Sequence, residues 1–313
     1  MKCLVTGAAG FIGSHLCEAL LARGEEVIGV DCFLDFYPRD LKEQNLAGPR
    51  QHSAFKFVEA DLISVDLSTL LEGIEVIFHQ AGQPGVRGSW GESFGGYVEN
   101  NVMVTQRLLE AVMKQPVRKF IFASSSSVYG DATELPLREQ TLPQPISPYG
   151  VTKLAAEHLC QTYHSQWGVP VVALRYFTVY GPRQRPDMAF HKWIRALLQG
   201  EPITIYGDGQ QTRDFTFIAD VVRANLLAAN CAQSGIVANI AGGARVTVLE
   251  TVKLLGQITG SVGHVSFVES AKGDVRDTWA DTTQAKDVLG FSPQIDLTAG
   301  LAAEVEWLHR SGV

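Results

Sequence analysis

The sequence is short of several things, and each shortage removes a class of function. Among 313 residues there are five cysteines, Cys3, Cys17, Cys32, Cys160 and Cys231, and no two of them form a C-x-x-C pair. That pattern supports neither a disulfide framework nor a zinc site, and no metal is expected. Small apolar side chains buried in a reducing cytoplasm are the expectation instead. No stretch of about 18 apolar residues occurs, so no membrane span is expected. The apolar opening Lys2-Cys3-Leu4-Val5 is too short for the core of a signal peptide. A basic excess is missing too: 26 Lys and Arg stand against 33 Asp and Glu, a net charge of −7. This argues against a general nucleic-acid binder, although a few local arginines would still serve an anionic small molecule.

What is present describes a compact globule, with 46% hydrophobic and 19% charged residues. The chain is long enough for one large or two closely packed domains. Short apolar runs at Cys3–Thr6, Glu26–Val30, Phe55–Glu59, Val76–His79, Lys119–Ala123 and Pro170–Arg175 read as strands. Helical patterns starting near Phe11, Leu67, Asn101 and Tyr149 separate them. Strands apolar throughout and divided by helices predict a doubly wound, Rossmann-like parallel sheet covered on both faces. After Arg175 the rhythm changes to loops rich in Gly, Pro and Arg and to shorter helices near Phe190–Gln199 and Val248–Thr259. We therefore expect a dinucleotide-binding domain over 1–175 and a smaller α/β substrate-binding domain over 176–313. Phe215–Asn230 reads as a strand turn and core helix, returning the chain to the first domain around 215–240.

Thr6-Gly7-Ala8-Ala9-Gly10-Phe11-Ile12-Gly13 lies between a strand and a helix, where a phosphate-binding turn belongs. Glycines let the backbone approach a pyrophosphate closely, and its charge then meets free N–H groups at the helix N-terminus. The next strand runs into Asp31, placed to accept hydrogen bonds from ribose hydroxyls. A carboxylate there repels the extra phosphate of NADP, so the expected cofactor is NAD, with Arg39 nearby as the one opposing feature. His79 reads as a satisfied strand-end histidine.

Tyr149-Gly150-Val151-Thr152-Lys153 puts a phenol and an amine one helical turn apart on one face. A free tyrosine titrates near 10, and an adjacent ammonium favours the phenolate that base chemistry at neutral pH requires. The pair follows the fifth strand and is preceded by Ser124-Ser125-Ser126-Ser127-Val128-Tyr129-Gly130.

The G-x-x-G-x-x-G turn and the Y-x-x-x-K pair together resemble the short-chain dehydrogenase superfamily. The resemblance implies that Ser125, four residues before the tyrosine of V-Y-G, holds the reacting hydroxyl, completing a triad of Ser125, Tyr149 and Lys153. It also implies cofactor contacts from Gly7, Gly10, Phe11, Ile12 and Gly13 in the turn and from Asp61-Leu62 at the adenine. Ala81-Gly82, Asn101, Ser124 and Tyr176 would line the rest of the groove, and Lys153 would hold the nicotinamide ribose.

The resemblance extends over essentially the whole chain and points to the extended branch, the nucleotide-sugar epimerases and dehydratases. Dehydratases of that branch carry an Asp-Glu pair after the Ser/Thr, and decarboxylases a Glu; here Ser126 and Ser127 stand there. With no added acid, the triad moves only a proton and a hydride, which favours reversible oxidation with return of the hydride. The run Arg175-Tyr176-Phe177-Thr178-Val179-Tyr180-Gly181-Pro182-Arg183-Gln184-Arg185-Pro186-Asp187-Met188-Ala189 resembles the UDP-glucuronate 4-epimerase group, in which threonine replaces a commoner asparagine at position 178. Pro84-Gly85-Val86-Arg87 fits the same group.

The implied reaction is C4 epimerisation of UDP-glucuronate to UDP-galacturonate through a 4-keto sugar. Ser126, Ser127 and Thr178 would bind the carboxylate. Arg185 would meet the carboxylate or the nucleotide, and Arg213 with Arg276 would clamp the diphosphate and uridine. A homodimer built on the helices near Asn101 and Tyr149 is implied as well. A UDP-glucose 4-epimerase, a decarboxylase, a net oxidoreductase and a non-catalytic NAD sensor on the same scaffold stand as alternatives.

Overall fold

The computed structural model describes residues 1–311. Its centre is a seven-stranded parallel sheet built from β1 (Lys2–Thr6), β2 (Glu26–Asp31), β3 (Phe55–Glu59), β4 (Val76–His79), β5 (Lys119–Ser125), β6 (Val171–Tyr176) and β7 (Ile236–Ile240). Their order across the sheet is β7-β6-β5-β4-β1-β2-β3, each pair parallel. The order reverses between β1 and β4, where a doubly wound sheet opens its binding crevice beyond the strand ends. This is the Rossmann-like α/β fold the sequence predicts.

Both faces of the sheet are covered, which is why β5 and β6 are buried at every residue. On one side α1 (Phe11–Ala22) packs with the helix Ile218–Asn230, burying Leu16, Leu20, Val221 and Ala224 with Val5 and Phe78. On the other, α2 (Val104–Lys114) and α3 (Pro148–Trp167) bury Leu108, Leu109, Ala156 and Cys160 against Leu4, Ile77 and Phe120. Fully burying a leucine of this kind is worth roughly 1.5–3 kcal/mol. The helix over 218–230 packs in the core on the α1 side, and β7 pairs with β6.

A separate core gathers Phe190, Trp193, Ile194, Leu197, Ile203, Ile205, Val252, Leu255 and Leu301. Two short sheets, pairing 203–206 with 265–268 and 212–214 with 245–247, complete it. Among the described residues no helix is long and apolar enough to cross a membrane.

Several elements differ from expectation: the helix near Leu67 is the single turn Leu67–Leu70, and the helix Arg39–Leu46 and the strand Ile236–Ile240 come in addition to those expected. The helix expected to start near Asn101 begins at Phe94, runs through a π-helical stretch Val98–Met103 and continues as α2. Gly95 and Gly96 weaken the helical pattern in its first turn, and the widened turn breaks the 3.6-residue spacing by which the helix would be read. The α3 start was legible: Ser147 accepts from Gly150 N at 3.1 Å, with Pro148 in the first turn.

Candidate active site

A cleft of about 1230 Å³ lies along the strand ends, walled on one side by the sheet and on the other by the smaller body. The glycine turn forms its floor. Gly7 has φ +68°, and a Cβ at Gly13 would fall 2.1 Å from Gly7 O, so no side chain fits there. No side chain caps α1 at Gly10, which leaves the first amides of the helix facing the cleft. At the end of β2, Asp31 accepts from Ala9 N at 3.0 Å and Phe33 N at 2.9 Å. Burial raises its carboxyl pKa, and those backbone amides oppose the rise. The cradle and its carboxylate are thus in register, as a dinucleotide with unphosphorylated ribose needs. Arg39 is turned away, its guanidinium taken by Glu59 at 2.8 and 2.7 Å. Lys42, which sequence reasoning passed over, lines the cleft instead and reaches Leu34 O across the Tyr37 ring.

Strand β5 and helix α3 bring the triad together. Ser125 ends β5 and accepts from Ser127 N at 3.1 Å, which turns Ser126 and Ser127 into the cleft. Tyr149 and Lys153 project from the first turns of α3, and Tyr149 packs edge-on to Tyr97 with ring centroids 6.3 Å apart. Burial pushes the Tyr149 phenol up, and the neighbouring Ser125 hydroxyl and the Arg185 charge pull it down. Burial lowers Lys153 to about 8, against the Glu157 charge that supports its cation. Its Nζ stands 4.6 Å from the Phe122 ring centroid. Beneath the triad, Ser124 Oγ donates to Glu157 at 2.5 Å, and Arg175 grips the same carboxylate through Nε at 3.0 Å and Nη2 at 2.6 Å.

The loop after β6 supplies the opposite wall. It is tied down at two points: Gly181 N donates to the buried Glu304 at 2.8 Å, and Arg183 pairs with Glu18 of α1 at 2.6 Å. Just beyond these anchors Arg185 holds Asp187 by two hydrogen bonds of 2.9 and 3.0 Å and lies 5.6 Å from the Phe36 ring centroid. Across the mouth, Arg87 meets Asp274 at 2.7 Å and stacks 3.8 Å over Tyr206.

The cleft gathers Gly7, Gly10, Phe11, Ile12, Gly13, Asp31, Asp61, Leu62, Ala81, Gly82, Asn101, Ser124, Ser125, Tyr149, Lys153 and Tyr176 with Gly85, Val86, Arg87, Ser126, Ser127, Thr178, Arg185 and Arg213. Arg276 is the exception. It is half exposed, bound to Asp208 at 2.9 and 3.1 Å, and stands outside the lining. Arg213 is itself committed to three backbone carbonyls, those of Thr212, Val275 and Arg276. Phe36, Tyr37, Lys42, Tyr206 and Asp274 also line the cleft and carried no local signal.

His79 is satisfied, as read, and buried; burial and the Lys153 charge lower it to about 3. The unfolded chain takes up a proton near 6.5 that the folded one refuses until about 3, so His79 favours folding fully above 6.5 and loses that contribution as pH falls. At pH 4.5 the loss is about 3 kcal/mol, at about 1.36 kcal/mol per unit. Melting curves at pH 7 and 4.5 should therefore separate less in His79→Phe than in the unaltered protein.

Comparison with known proteins adds to this geometry. The model of the NAD dependent epimerase/dehydratase family matches residues 3–241. The uncharacterized UDP-glucose epimerase YtcB of Bacillus subtilis is 47% identical over 98% of both chains. The UDP-glucuronate 4-epimerase of Thermodesulfobacterium geofontis is 37% identical, over 97% of this chain and 95% of its own. The crystal structure of UDP-glucuronic acid 4-epimerase from Bacillus cereus, in complex with UDP-glucuronic acid and NAD, superposes with a TM-score of 0.97. It is 48% identical, over 99% of this chain and 100% of that one.

Proposed function

The chain belongs to the NAD-dependent epimerase/dehydratase family and is an NAD-dependent nucleotide-sugar 4-epimerase, and from that premise we propose that its substrate is UDP-glucuronate, converted to UDP-galacturonate. The observation that carries this reading is the meeting of Ser126, Ser127, Thr178 and Arg185 around one cleft with Ser125 and Tyr149. Three hydroxyls and a guanidinium beside the reacting groups suit a sugar that bears its own carboxylate. Arg185 is paired with Asp187, and a substrate carboxylate would give its guanidinium a second anionic partner. The names of the relatives in Thermodesulfobacterium and Bacillus cereus support the same substrate.

In this reading the glycine turn, Asp31 and the Ala81–Gly82 wall hold NAD, which when bound accepts the C4 hydride and gives it back. Ser125 holds the C4 hydroxyl, and Tyr149 takes its proton and later returns it. Lys153 stays a cation at pH 7 and fixes the ribose, while the Ser125 hydroxyl and the Arg185 charge favour the phenolate. Arg213 and the Arg87–Asp274 bridge keep the nucleotide end still while the keto sugar turns its other face.

The 4-keto sugar is a β-keto acid and is prone to lose CO₂. Ser126, Ser127 and Thr178 hold its carboxylate so that the bond to be broken stays near the carbonyl plane, where overlap with the π system is poor. Thr178→Ala is expected to raise the UDP-pentose fraction of product by about tenfold or more, since one lost hydrogen bond to a charged group is worth about 1.5–3 kcal/mol. Product analysis by NMR checks it, and an unchanged ratio removes the idea. Side-by-side kcat/KM values test the substrate itself: UDP-glucuronate should exceed UDP-glucose by about 10²-fold, and a preference for UDP-glucose would overturn the assignment.

A further inference from the structure

The residue left over from this chemistry is His79. It stands at the end of β4 with no exposed surface, between the rings of Phe120 and Phe122 at 5.9 and 5.8 Å. Its Nδ1 is 2.8 Å from Thr6 Oγ1 and its Nε2 is 3.0 Å from Thr105 Oγ1. The hydrogens of this chain can be assigned completely. Thr105 spends its one hydroxyl proton on the carbonyl oxygen of Asn101, at 2.7 Å, and a carbonyl can only accept. Thr105 must therefore accept from Nε2–H. The neutral ring then has Nδ1 as an acceptor, filled by the Thr6 hydroxyl, whose oxygen accepts in turn from Ala81 N at 3.0 Å.

Both ends of the chain reach the groove. Thr6 adjoins the glycine turn, and Ala81 begins the wall Ala81-Gly82-Gln83. Asn101 sits inside the π-helical stretch, and its side chain accepts from Gln83 N at 2.7 Å and donates to Gln83 O at 3.1 Å and to Thr152 Oγ1 at 3.0 Å. Thr152 in turn donates to Tyr149 O at 2.8 Å. A Cβ at Gly82 would fall 2.8 Å from Asn101 Oδ1 and 3.8 Å from Lys153 Nζ, so the wall, the amide and the amine are in close contact.

We propose that His79 is a positioning residue for this reaction: its single-tautomer bridge between Thr6 and Thr105 fixes the Ala81–Gln83 wall and the π-turn carbonyl of Asn101, and through Asn101 and Thr152 sets the helix that bears Tyr149 and Lys153. This explains why a polar ring is buried in an otherwise apolar strand end. The inference rests on the family chemistry and not on the identity of the sugar, so the assay uses whichever UDP-sugar the unaltered protein turns over.

The test compares His79→Phe, which keeps a ring between Phe120 and Phe122 and loses both bonds, with His79→Gln, whose amide oxygen and nitrogen can accept from Thr6 and donate to Thr105. Three quantities are read: bound NAD per chain after purification, the rate of NAD release, and kcat and KM per NAD-loaded chain. His79→Phe should lower kcat by about 10- to 100-fold through misplacement of the reacting groups. It should also release NAD faster, with the sugar KM changed less than about twofold. His79→Gln should recover most of both losses. Thr105→Val, which cuts only the Nε2 arm, should show the same split at about fivefold and carries the test if the phenylalanine variant does not fold. A folded His79→Phe or Thr105→Val protein within twofold of the unaltered one in kcat and NAD release would overturn the proposal. So would a glutamine variant no better than phenylalanine.

Discussion

Tyr149→Phe is expected to lower kcat by about 10³-fold while leaving the sugar KM within about twofold, because the change removes one oxygen at the centre of the chemistry and little else. General acid–base catalysis by a placed side chain is worth about 10² to 10⁴. The phenyl ring would still pack edge-on to Tyr97, and the wall of Ser126, Ser127, Thr178 and Arg185 would be untouched, so binding should persist. Burial works against the Tyr149 phenolate, and the groups seen to oppose that penalty are the Ser125 hydroxyl and the Arg185 cation. Ser125→Ala should therefore cost less than Tyr149→Phe but in the same parameter. A loss in KM with kcat preserved would move the base elsewhere.

The second large effect concerns stability. Glu157→Leu is expected to cost about 3–5 kcal/mol and to lower Tm by roughly 10 °C. Arg175 is 4% exposed and both edges of its guanidinium are occupied, one by Glu157 and the other by the Tyr129 hydroxyl and Glu139 O. Removing the carboxylate strands that cation in the sheet and releases Ser124, the neighbour of Ser125. Pairing the change with Arg175→Met should restore much of the loss, since a buried ion pair replaced as a unit by apolar side chains is often close to neutral. Urea and thermal melts of the two variants check this. A single-variant loss under about 1 kcal/mol would mean that Glu157 is not the partner the geometry makes it.

The parts of this molecule that could be read from its sequence are those in which neighbours in sequence are also neighbours in space. The turn from Thr6 to Gly13 is one continuous loop, Tyr149 and Lys153 share one helical face, and six of the seven strands announce themselves by short, mainly apolar runs, Ile236–Ile240 being the one that was not read. Asp31 was legible because a parallel strand delivers its last residue beside the glycine turn whatever follows. What stayed hidden depends on where a side chain goes after the backbone is set. Arg39 and Lys42 are three residues apart, and only the fold separates the one held by Glu59 from the one that lines the cleft. Arg213 and Arg276 lie in segments of similar composition, yet the first, on a short strand, turns inward and the second pairs with Asp208 outside. Phe36 and Tyr37 reach the cleft because the chain after Asp31 folds back over it, and no periodicity marks such a loop. The π turn at Val98–Met103 was invisible because it shifts the phase by which a helix is read.

The account rests most heavily on the claim that the protein takes UDP-glucuronate through oxidation and returns the same hydride to the other face. The direct measurement uses UDP-glucuronate carrying deuterium at C4, the purified protein as it comes from the cell and no added NAD, with the products followed by NMR. The account predicts UDP-galacturonate that still carries its deuterium at C4. Conversion that proceeds only with stoichiometric NAD, product with hydrogen at C4, or turnover confined to UDP-glucose would contradict it.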